Sequence, residues 1–201
     1  MDNTTVAYIK SMNTSPIEDK TFEKIDYSEN GLAKGDYENC IFVNCMFSNT
    51  DLSSTNFSGC HFSGCNLSMA KLSKTAIRDV HFKDCKLLGL HFNKCSDFLF
   101  SADFDNCILK LSSFYKMSIK KTRFKDCSLQ EVDFTECDLS GSIFEHCDLT
   151  RSVFNRTVLE KVDFRTSYHY SIDPEINRMK KAKFSLVGLT GLLVKYDIDI
   201  E

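Results

Sequence analysis

Residues 132–151 read VDFTE CDLSG SIFEH CDLTR, and these four five-residue units repeat one pattern. The third residue of each unit is large and apolar, the first is small or β-branched, and the others are mostly polar. This period matches neither the 3.6 residues of an α-helix nor the two of a strand, so it indicates a repeat architecture. The large residues recur without a miss in one series: Phe104, Leu109, Phe114, Ile119, Phe124, Leu129, Phe134, Leu139, Phe144, Leu149, Phe154, Leu159 and Phe164.

A longer period of twenty residues indicates the geometry of the repeat. Phe104, Phe124, Phe144 and Phe164 are identical and lie twenty residues apart. Twenty residues are four units, so a coil with four five-residue sides would stack these residues in a column. Successive members of a column would be about 4.8 Å apart, the usual spacing of paired strands. The sequence therefore predicts an all-β fold, a quadrilateral β-helix.

The same signature runs from Phe22 to Phe92, and the register breaks between Phe92 and Phe104. Twelve residues separate these two positions where two units would take ten, so two residues are expected to loop out within residues 93–102. One of the three consecutive large apolar residues there is expected to be exposed. The loop is either a kink with internal repacking or a partner-contacting segment. Its predicted residues are Ser96, Asp97, Phe98, Leu99 and Phe100.

The ten cysteines also follow the repeat. Cys45, Cys65 and Cys85 would stack as one inward-facing column, and Cys107, Cys127 and Cys147 as another. Buried cysteine acts as a small hydrophobe and reacts poorly without a positive neighbour. We therefore interpret these residues as core filler, with redox or metal use as the less favoured alternative.

Several units match the consensus of a known family. Thr50-Asp51-Leu52-Ser53-Ser54 and Val132-Asp133-Phe134-Thr135-Glu136 fit the A(D/N)LXX pattern of the pentapeptide-repeat family, with Thr, Cys or Val often in the Ala place. The resemblance covers residues 20–166. It implies a right-handed square β-helix in which the large and small residues point inward and the other three face solvent.

The segments outside the repeat are expected to cap it. Residues 1–19 are interpreted as an N-terminal lead or cap, and residues 167–201 as a C-terminal cap and dimerisation segment. Ser185 is expected to cap a short C-terminal helix that reaches Tyr196, and Ile198 and Ile200 would add a final strand. The uncharged, exposed face of that helix predicts a homodimer, with a monomeric cap as the alternative. The predicted interface residues are Leu186, Leu189, Leu192, Leu193 and Tyr196.

No combination of residues suggests an enzyme. His61, His81 and His91 each precede a large inward residue and should face outward, and no glycine-rich phosphate loop or nucleophile elbow is present. We therefore expect no catalytic residues, no metal and no cofactor. No apolar run approaches the length of a membrane span, and residues 1–16 lack a signal-peptide pattern, so we expect a cytoplasmic protein without membrane contact.

The charged residues are distributed in blocks, although the net charge is only −3. Residues 126–149 hold seven acids and no Lys or Arg, and we call these seven acids the acidic belt. The acidic belt is Asp126, Glu131, Asp133, Glu136, Asp138, Glu145 and Asp148. Immediately before it lies a basic cluster of Lys116, Lys120, Lys121, Arg123 and Lys125. The belt is the predicted partner surface. Direct nucleic-acid binding by the basic cluster is less favoured, because no aromatic residues interleave with it as a stacking platform.

The tail carries a second resemblance. Residues 172–178, IDPEINR, followed by a leucine-rich segment and an Ile-Asp-Ile end, resemble the C-terminus of the Qnr, MfpA and McbG group of pentapeptide-repeat proteins. Members of that group are dimeric rods that protect DNA gyrase and topoisomerase IV from quinolones or peptide toxins as DNA mimics. The resemblance implies such a function, since an acidic rod of DNA-like width can enter a Lys/Arg-lined groove. The alternative is a scaffold for another partner.

Overall fold

The computed structural model describes residues 15–200, and these form a right-handed quadrilateral β-helix, as the sequence predicts. Every pairing between strands is parallel. The strands are β1 (Ile17–Glu18), β2 (Thr21–Glu23), β3 (Asp36–Glu38), β4 (Ile41–Val43), β5 (Asn56–Ser58), β6 (His61–Ser63), β7 (Ala76–Arg78), β8 (Val80–Lys83), β9 (Ala102–Asp105), β10 (Arg123–Lys125) and β11 (Ile143–Glu145). Three 3₁₀-helices are η1 (Phe92–Lys94), η2 (Val187–Leu192) and η3 (Val194–Tyr196).

The coil has four sides, which we number by the large residue that each contributes. Side 1 contains Phe104, side 2 Leu109, side 3 Phe114 and side 4 Ile119. A seven-stranded sheet, β2-β4-β6-β8-β9-β10-β11, runs along side 1, and a four-stranded sheet, β1-β3-β5-β7, covers the first half of side 4. Sides 2 and 3 are joined by isolated parallel bridges. A residue is therefore paired with the residue twenty positions further along the chain, except at the register break, where Phe82 pairs with Phe104.

Large side chains fill the interior in columns. The rings of Phe104 and Phe124 are stacked with their centroids 5.1 Å apart, and those of Phe124 and Phe144 are 4.9 Å apart. Rings on neighbouring sides meet edge to face, as Phe134 and Phe144 do at 5.9 Å. The strand spacing sets the distance within a column, and both geometries are favourable for aromatic pairs. The core is thus a stack of aromatic and aliphatic layers.

The small inward residues have a second role besides saving space. Many of them donate a hydrogen bond to the carbonyl oxygen of the residue 23 positions earlier, on the preceding coil. Ser142 Oγ donates to Ile119 at 3.2 Å, Thr157 Oγ1 to Phe134 at 2.9 Å, and Cys147 Sγ to Phe124 at 3.4 Å. Ser, Thr and Cys therefore replace the consensus Ala here because each brings a donor to an inward carbonyl.

Most corners of the coil turn on a left-handed residue. The residue two positions after a large one has a positive φ, as in Asn44 (52°) and Asp126 (53°). Short polar side chains tolerate this conformation best, which explains part of the polar pattern. Three corners carry large apolar residues instead, with φ near +60°: Met69, Leu99 and Leu111.

The repeat extends further at both ends than residues 20–166. Ile17 pairs with Tyr37 and so begins the side 4 column, which places the first strand inside the predicted N-terminal lead. The rest of that lead, residues 1–14, lies outside the described residues. At the other end Arg178 bridges to Val158, and the Phe184 ring stacks on Phe164 at 5.4 Å. Sequence reasoning missed the last units because residues 169–176 do not follow the pattern.

The extra residues of the register break lie on side 4. Phe82 remains paired with Phe104 across the break, so side 1 is continuous. Residues 96–100 take the place of the next side 4 strand. Phe98 and Leu99 are each 65% exposed, whereas Phe100 is buried and its ring lies 6.1 Å from that of Phe92. Two of the three apolar residues therefore face solvent, where we expected one.

The C-terminal segment is helical, but its helices are of the 3₁₀ type. Ser185 Oγ accepts a hydrogen bond from the Gly188 N–H at 3.0 Å, but the N-cap residue of η2 is Leu186 and not the predicted Ser185. Gly188 and Gly191 both lie against Tyr170, and a Cβ on either would overlap it. A 3₁₀-helix eclipses residues three apart, so it directs both glycines at the same ring. The expected final strand at Ile198 and Ile200 is absent from the described chain.

We expect Phe134→Ala to lower the free energy of unfolding by about 3–5 kcal/mol, because it opens a cavity within a continuous column. Urea denaturation measures this loss. Phe98→Ala is the matched control, since the same atoms are removed from an exposed side chain, and it should change stability by about 0.5 kcal/mol or less. Equal losses in the two variants would contradict the inward position of Phe134.

Candidate partner-binding surfaces

The acidic belt occupies slightly more than one coil and so encircles the rod. Its neighbours along the rod are the coils twenty residues before and after it. The basic cluster lies on the earlier coil and therefore packs directly against the belt. Charges that are separate blocks in the sequence become adjacent layers in the structure.

Ion pairs connect these layers. Lys and Arg of the preceding coil reach the belt, with nitrogen–oxygen distances of 3.4 Å for Lys110–Glu131, 3.5 Å for Lys116–Glu136, 3.1 Å for Lys120–Asp138 and 2.6 Å for Arg123–Glu145. The following coil adds Arg151–Glu131 at 3.7 Å and Arg156–Glu136 at 2.7 Å. The belt is consequently not an open anionic surface, which sequence reasoning missed. The signal was available as opposite charges about twenty residues apart.

Two belt carboxylates have histidine partners. Asp126 lies 3.2 Å from His146 Nδ1, and Asp148 lies 3.1 Å from His169 Nδ1. Burial would raise the pKa of Asp148, but hydrogen bonds from Thr150, Gln130 and His169 outweigh it and lower the pKa to about 2. The Asp148 carboxylate is therefore held ionised by its neighbours.

Asp133 is the belt residue that stays without a basic partner within residues 15–200. Its Oδ1 accepts a hydrogen bond from the Thr135 N–H at 2.9 Å, and Ser113 Oγ lies 3.5 Å from Oδ2. The carboxylate is therefore oriented by its own turn. Of the belt, Asp133 presents the charge that is least compensated.

Other uncompensated charges lie away from the belt. Glu18, Asp19, Asp36 and Glu38 lie together at the N-terminal end of side 4, and none forms an ion pair with another described residue. Charge is therefore distributed differently from the sequence blocks. A group of acids open to a partner therefore lies on the first coils, outside the belt.

The loop of residues 96–100 presents two large apolar side chains at one corner. The Arg78 guanidinium lies 5.7 Å from the centroid of the Phe98 ring, in the range of a cation–π contact. Leu99 has a φ of 59°, a conformation that strains a large side chain. The structure therefore fixes an exposed apolar corner at the position that the register break predicted.

The predicted dimer residues differ in exposure. Leu186 is 87% exposed, and Leu189 and Tyr196 are also exposed. Leu192 and Leu193 are half-buried, and Leu192 packs against the core, so it belongs to the cap of the last coil. Tyr196 donates a hydrogen bond to Glu175 Oε1 at 3.0 Å, and this contact holds the segment to the body.

The remaining candidates within the described residues are a histidine cluster, a metal site and a membrane-spanning helix. His61 and His81 are outward-facing and stacked, with ring centroids 5.0 Å apart. Within residues 15–200, no group of three or more His, Cys, Asp or Glu is arranged around a metal position. In the same range no helix has the length and apolar character to cross a bilayer.

The repeat also matches the profile of a known protein family. The profile of the family described as "Pentapeptide repeat region" matches residues 35–98 and 97–168, which together are more than half of the chain. The chain belongs to the pentapeptide-repeat family. No curated protein sequence is significantly similar to it.

Solved structures of pentapeptide-repeat proteins resemble the chain in fold. A trypsin-treated form of QnrB1, described as a plasmid-mediated fluoroquinolone resistance protein, is 20% identical with a TM-score of 0.51, over 93% of this chain and all of that chain. HetL, described as involved in heterocyst differentiation regulation in Nostoc sp. strain PCC 7120, is 15% identical with a TM-score of 0.40, over 91% of this chain and 94% of that chain. At this identity the QnrB1 similarity shows the shared fold alone.

We expect the stability that Asp148 contributes to depend on pH. Its folded pKa lies below the ordinary aspartate value of about 3.9, so the contribution is present above that value and is lost as the pH falls toward 2. Asp148→Asn should therefore lower the free energy of unfolding at pH 7, and the difference from the unmodified protein should shrink between pH 4 and pH 2. Denaturant unfolding across this range measures it.

The control for this prediction is Asp199→Asn, which removes an exposed carboxylate that forms no ion pair or side-chain hydrogen bond within residues 15–200. It should leave the pH profile of stability unchanged. A loss in Asp148→Asn that is the same at pH 7 and pH 2 would contradict the assignment, because it would not depend on ionisation.

Proposed function

We propose that this protein is a non-enzymatic, cytoplasmic DNA mimic that binds type II topoisomerases, DNA gyrase or topoisomerase IV, and protects them from quinolones or peptide toxins. Membership of the pentapeptide-repeat family, the tail that resembles the Qnr group and the fold shared with QnrB1 support this proposal. The structural observation that carries it is the exposed loop of residues 96–100 on an otherwise regular rod, two coils before the coil that holds most of the acidic belt.

The ion pairs of the acidic belt are compatible with docking into a basic groove. Most of the belt's Lys and Arg partners are half-exposed or more, and exposed pairs contribute only about 0–1 kcal/mol each. A partner's Lys or Arg can therefore replace them at small cost. Asp133 needs no such exchange, because no basic side chain holds it. The belt would then offer carboxylates around the rod to a groove that normally binds phosphates.

The loop would supply the apolar part of such an interface. Binding energy is usually concentrated in a few buried apolar or aromatic side chains surrounded by polar contacts. Phe98 and Leu99 are the candidates for that role, because both are 65% exposed at one corner and lie next to charged coils. The loop and the belt are thus proposed as one partner-binding surface with two kinds of contact.

A DNA gyrase supercoiling assay with a quinolone tests the proposal. We expect this protein to restore supercoiling, and the double variant Phe98→Ser with Leu99→Ser to lose at least tenfold in potency. The matched control is Leu111→Ser, which alters an exposed apolar corner residue with the same left-handed backbone on side 2 and should keep full potency. Equal potency of the loop variant and the control would remove the loop from the interface.

A scaffold for a different protein partner is the second candidate. The cross-coil ion pairs favour it, since they leave the middle of the rod close to neutral. Folded protein that neither restores nor inhibits supercoiling, with no gyrase binding at low salt, would exclude topoisomerase protection and leave this candidate. Binding that weakens as salt rises would instead support the DNA-mimic proposal.

We also propose a homodimer through the C-terminal segment. Leu186 and Val187 are 87% and 85% exposed, and a second copy of this chain would cover them. Light scattering after gel filtration should give the dimer mass for the unmodified protein and the monomer mass for Leu186→Glu. Met69→Glu, at another exposed apolar position, should remain dimeric. A monomeric unmodified protein would contradict this proposal.

A further inference from the structure

The structure joins the two predicted cysteine columns into one. The two extra residues are absorbed on side 4, so side 2 continues across the break with Lys86 bridged to Ile108. Cys85 therefore lies directly below Cys107. The result is an unbroken column of six buried thiols on consecutive coils: Cys45, Cys65, Cys85, Cys107, Cys127 and Cys147. The residue that follows at the C-terminal end of the column is Ser167.

The thiols of this column share one orientation. Each Sγ donates to a carbonyl of the preceding coil, for example Cys65 to Phe42 and Cys85 to Phe62, both at 3.3 Å. Because the coils are stacked in register on side 2, successive thiols of the column lie about one coil spacing apart. The Cβ–Sγ bonds thus point inward, across the rod axis, while the line of sulfurs runs parallel to it.

We propose that this thiol column binds Cu(I) in linear, two-coordinate sites between successive sulfurs. A metal–thiolate bond is about 2.3 Å long, taking the zinc value as the scale, so a linear S–metal–S unit spans about 4.6 Å. The coil spacing is about 4.7–4.9 Å, which matches this span. An ion on the line of sulfurs makes nearly a right angle with each Cβ–Sγ bond, as a thiolate ligand requires.

The same geometry selects the metal. Zinc in structural sites takes four ligands in a tetrahedron, and the column offers two ligands per interval. Soft thiolates favour Cu(I), which accepts two. Each ion is held between two thiolates, so binding releases the protons of both flanking thiols to water. Adjacent ions share the thiolate between them, so a run of ions carries one net negative charge in all, and no oxidant or reductant is consumed.

Two variants with equal numbers of cysteines test whether adjacency matters. The alternating variant, Cys65→Ser with Cys107→Ser and Cys147→Ser, leaves three column thiols with no neighbouring pair. The block variant, Cys107→Ser with Cys127→Ser and Cys147→Ser, leaves three thiols that form two intervals. Both also carry Cys60→Ser, which separates the remaining stacked pair of Cys40 and Cys60. Serine suits these positions, because Ser167 Oγ makes the same bond to the Phe144 carbonyl at 2.8 Å.

The experiment is anaerobic transfer of Cu(I) from its bicinchoninate complex to reduced protein, both folded and during refolding. Chelator absorbance counts the ions transferred, ultraviolet copper–thiolate absorption reports their ligands, and circular dichroism checks the fold. We expect at least two Cu(I) per unmodified chain, at least one in the block variant, and none retained by the alternating variant. Zn²⁺ in place of Cu(I) should not be retained.

Two outcomes would overturn the proposal. Equal Cu(I) retention by the block and alternating variants would mean that the ions follow the number of thiols and not their adjacency. No Cu(I) on the unmodified protein, after refolding in its presence, would mean that the column does not bind the ion at all. The second outcome decides the question even where one of the fourfold variants fails to fold.

Discussion

The spacing of parallel strands is the constraint on which the rest of this structure depends. Backbone hydrogen bonds hold successive coils about 4.8 Å apart, and the coil takes twenty residues to return to its starting side. Away from the register break, every side chain therefore lies next to the equivalent side chain of the adjacent coil, twenty residues away. Aromatic rings stack on rings, thiols on thiols and carboxylates on ammonium groups because this one distance is imposed on all of them.

Much of the fold follows from the sequence for the same reason. The series from Phe104 to Phe164 identifies the coil, because the same five-residue pattern recurs in every unit of the series. The ends were harder to place, since Ile17 and Phe184 belong to coils in which the pattern is diluted. The 3₁₀ form of the C-terminal segment depends on the contact of Gly188 and Gly191 with Tyr170, which no local pattern in the sequence reveals.

The candidate surfaces were less predictable than the fold. The acidic belt is conspicuous in the sequence, yet its charge is largely balanced by residues such as Arg123 and Arg156 on the adjacent coils. The local surface charge of a solenoid therefore depends on the residues of the adjacent coils as well as on the neighbours in sequence. The register break was easier to predict, because the residue spacing between Phe92 and Phe104 locates it. Only the structure shows that the extra residues lie on side 4.

The break on side 4 also has a mechanical consequence. Strands or bridges continue across that level on the other three sides, through Phe82–Phe104, Lys86–Ile108 and His91–Ser113. Side 4 has no strand pairing between β7 and Ser118 in the described residues. Bending stiffness is therefore uneven around the rod, and a load that flexes it opens side 4 first. Within the described residues, this interruption in side 4 coincides with the exposed apolar corner.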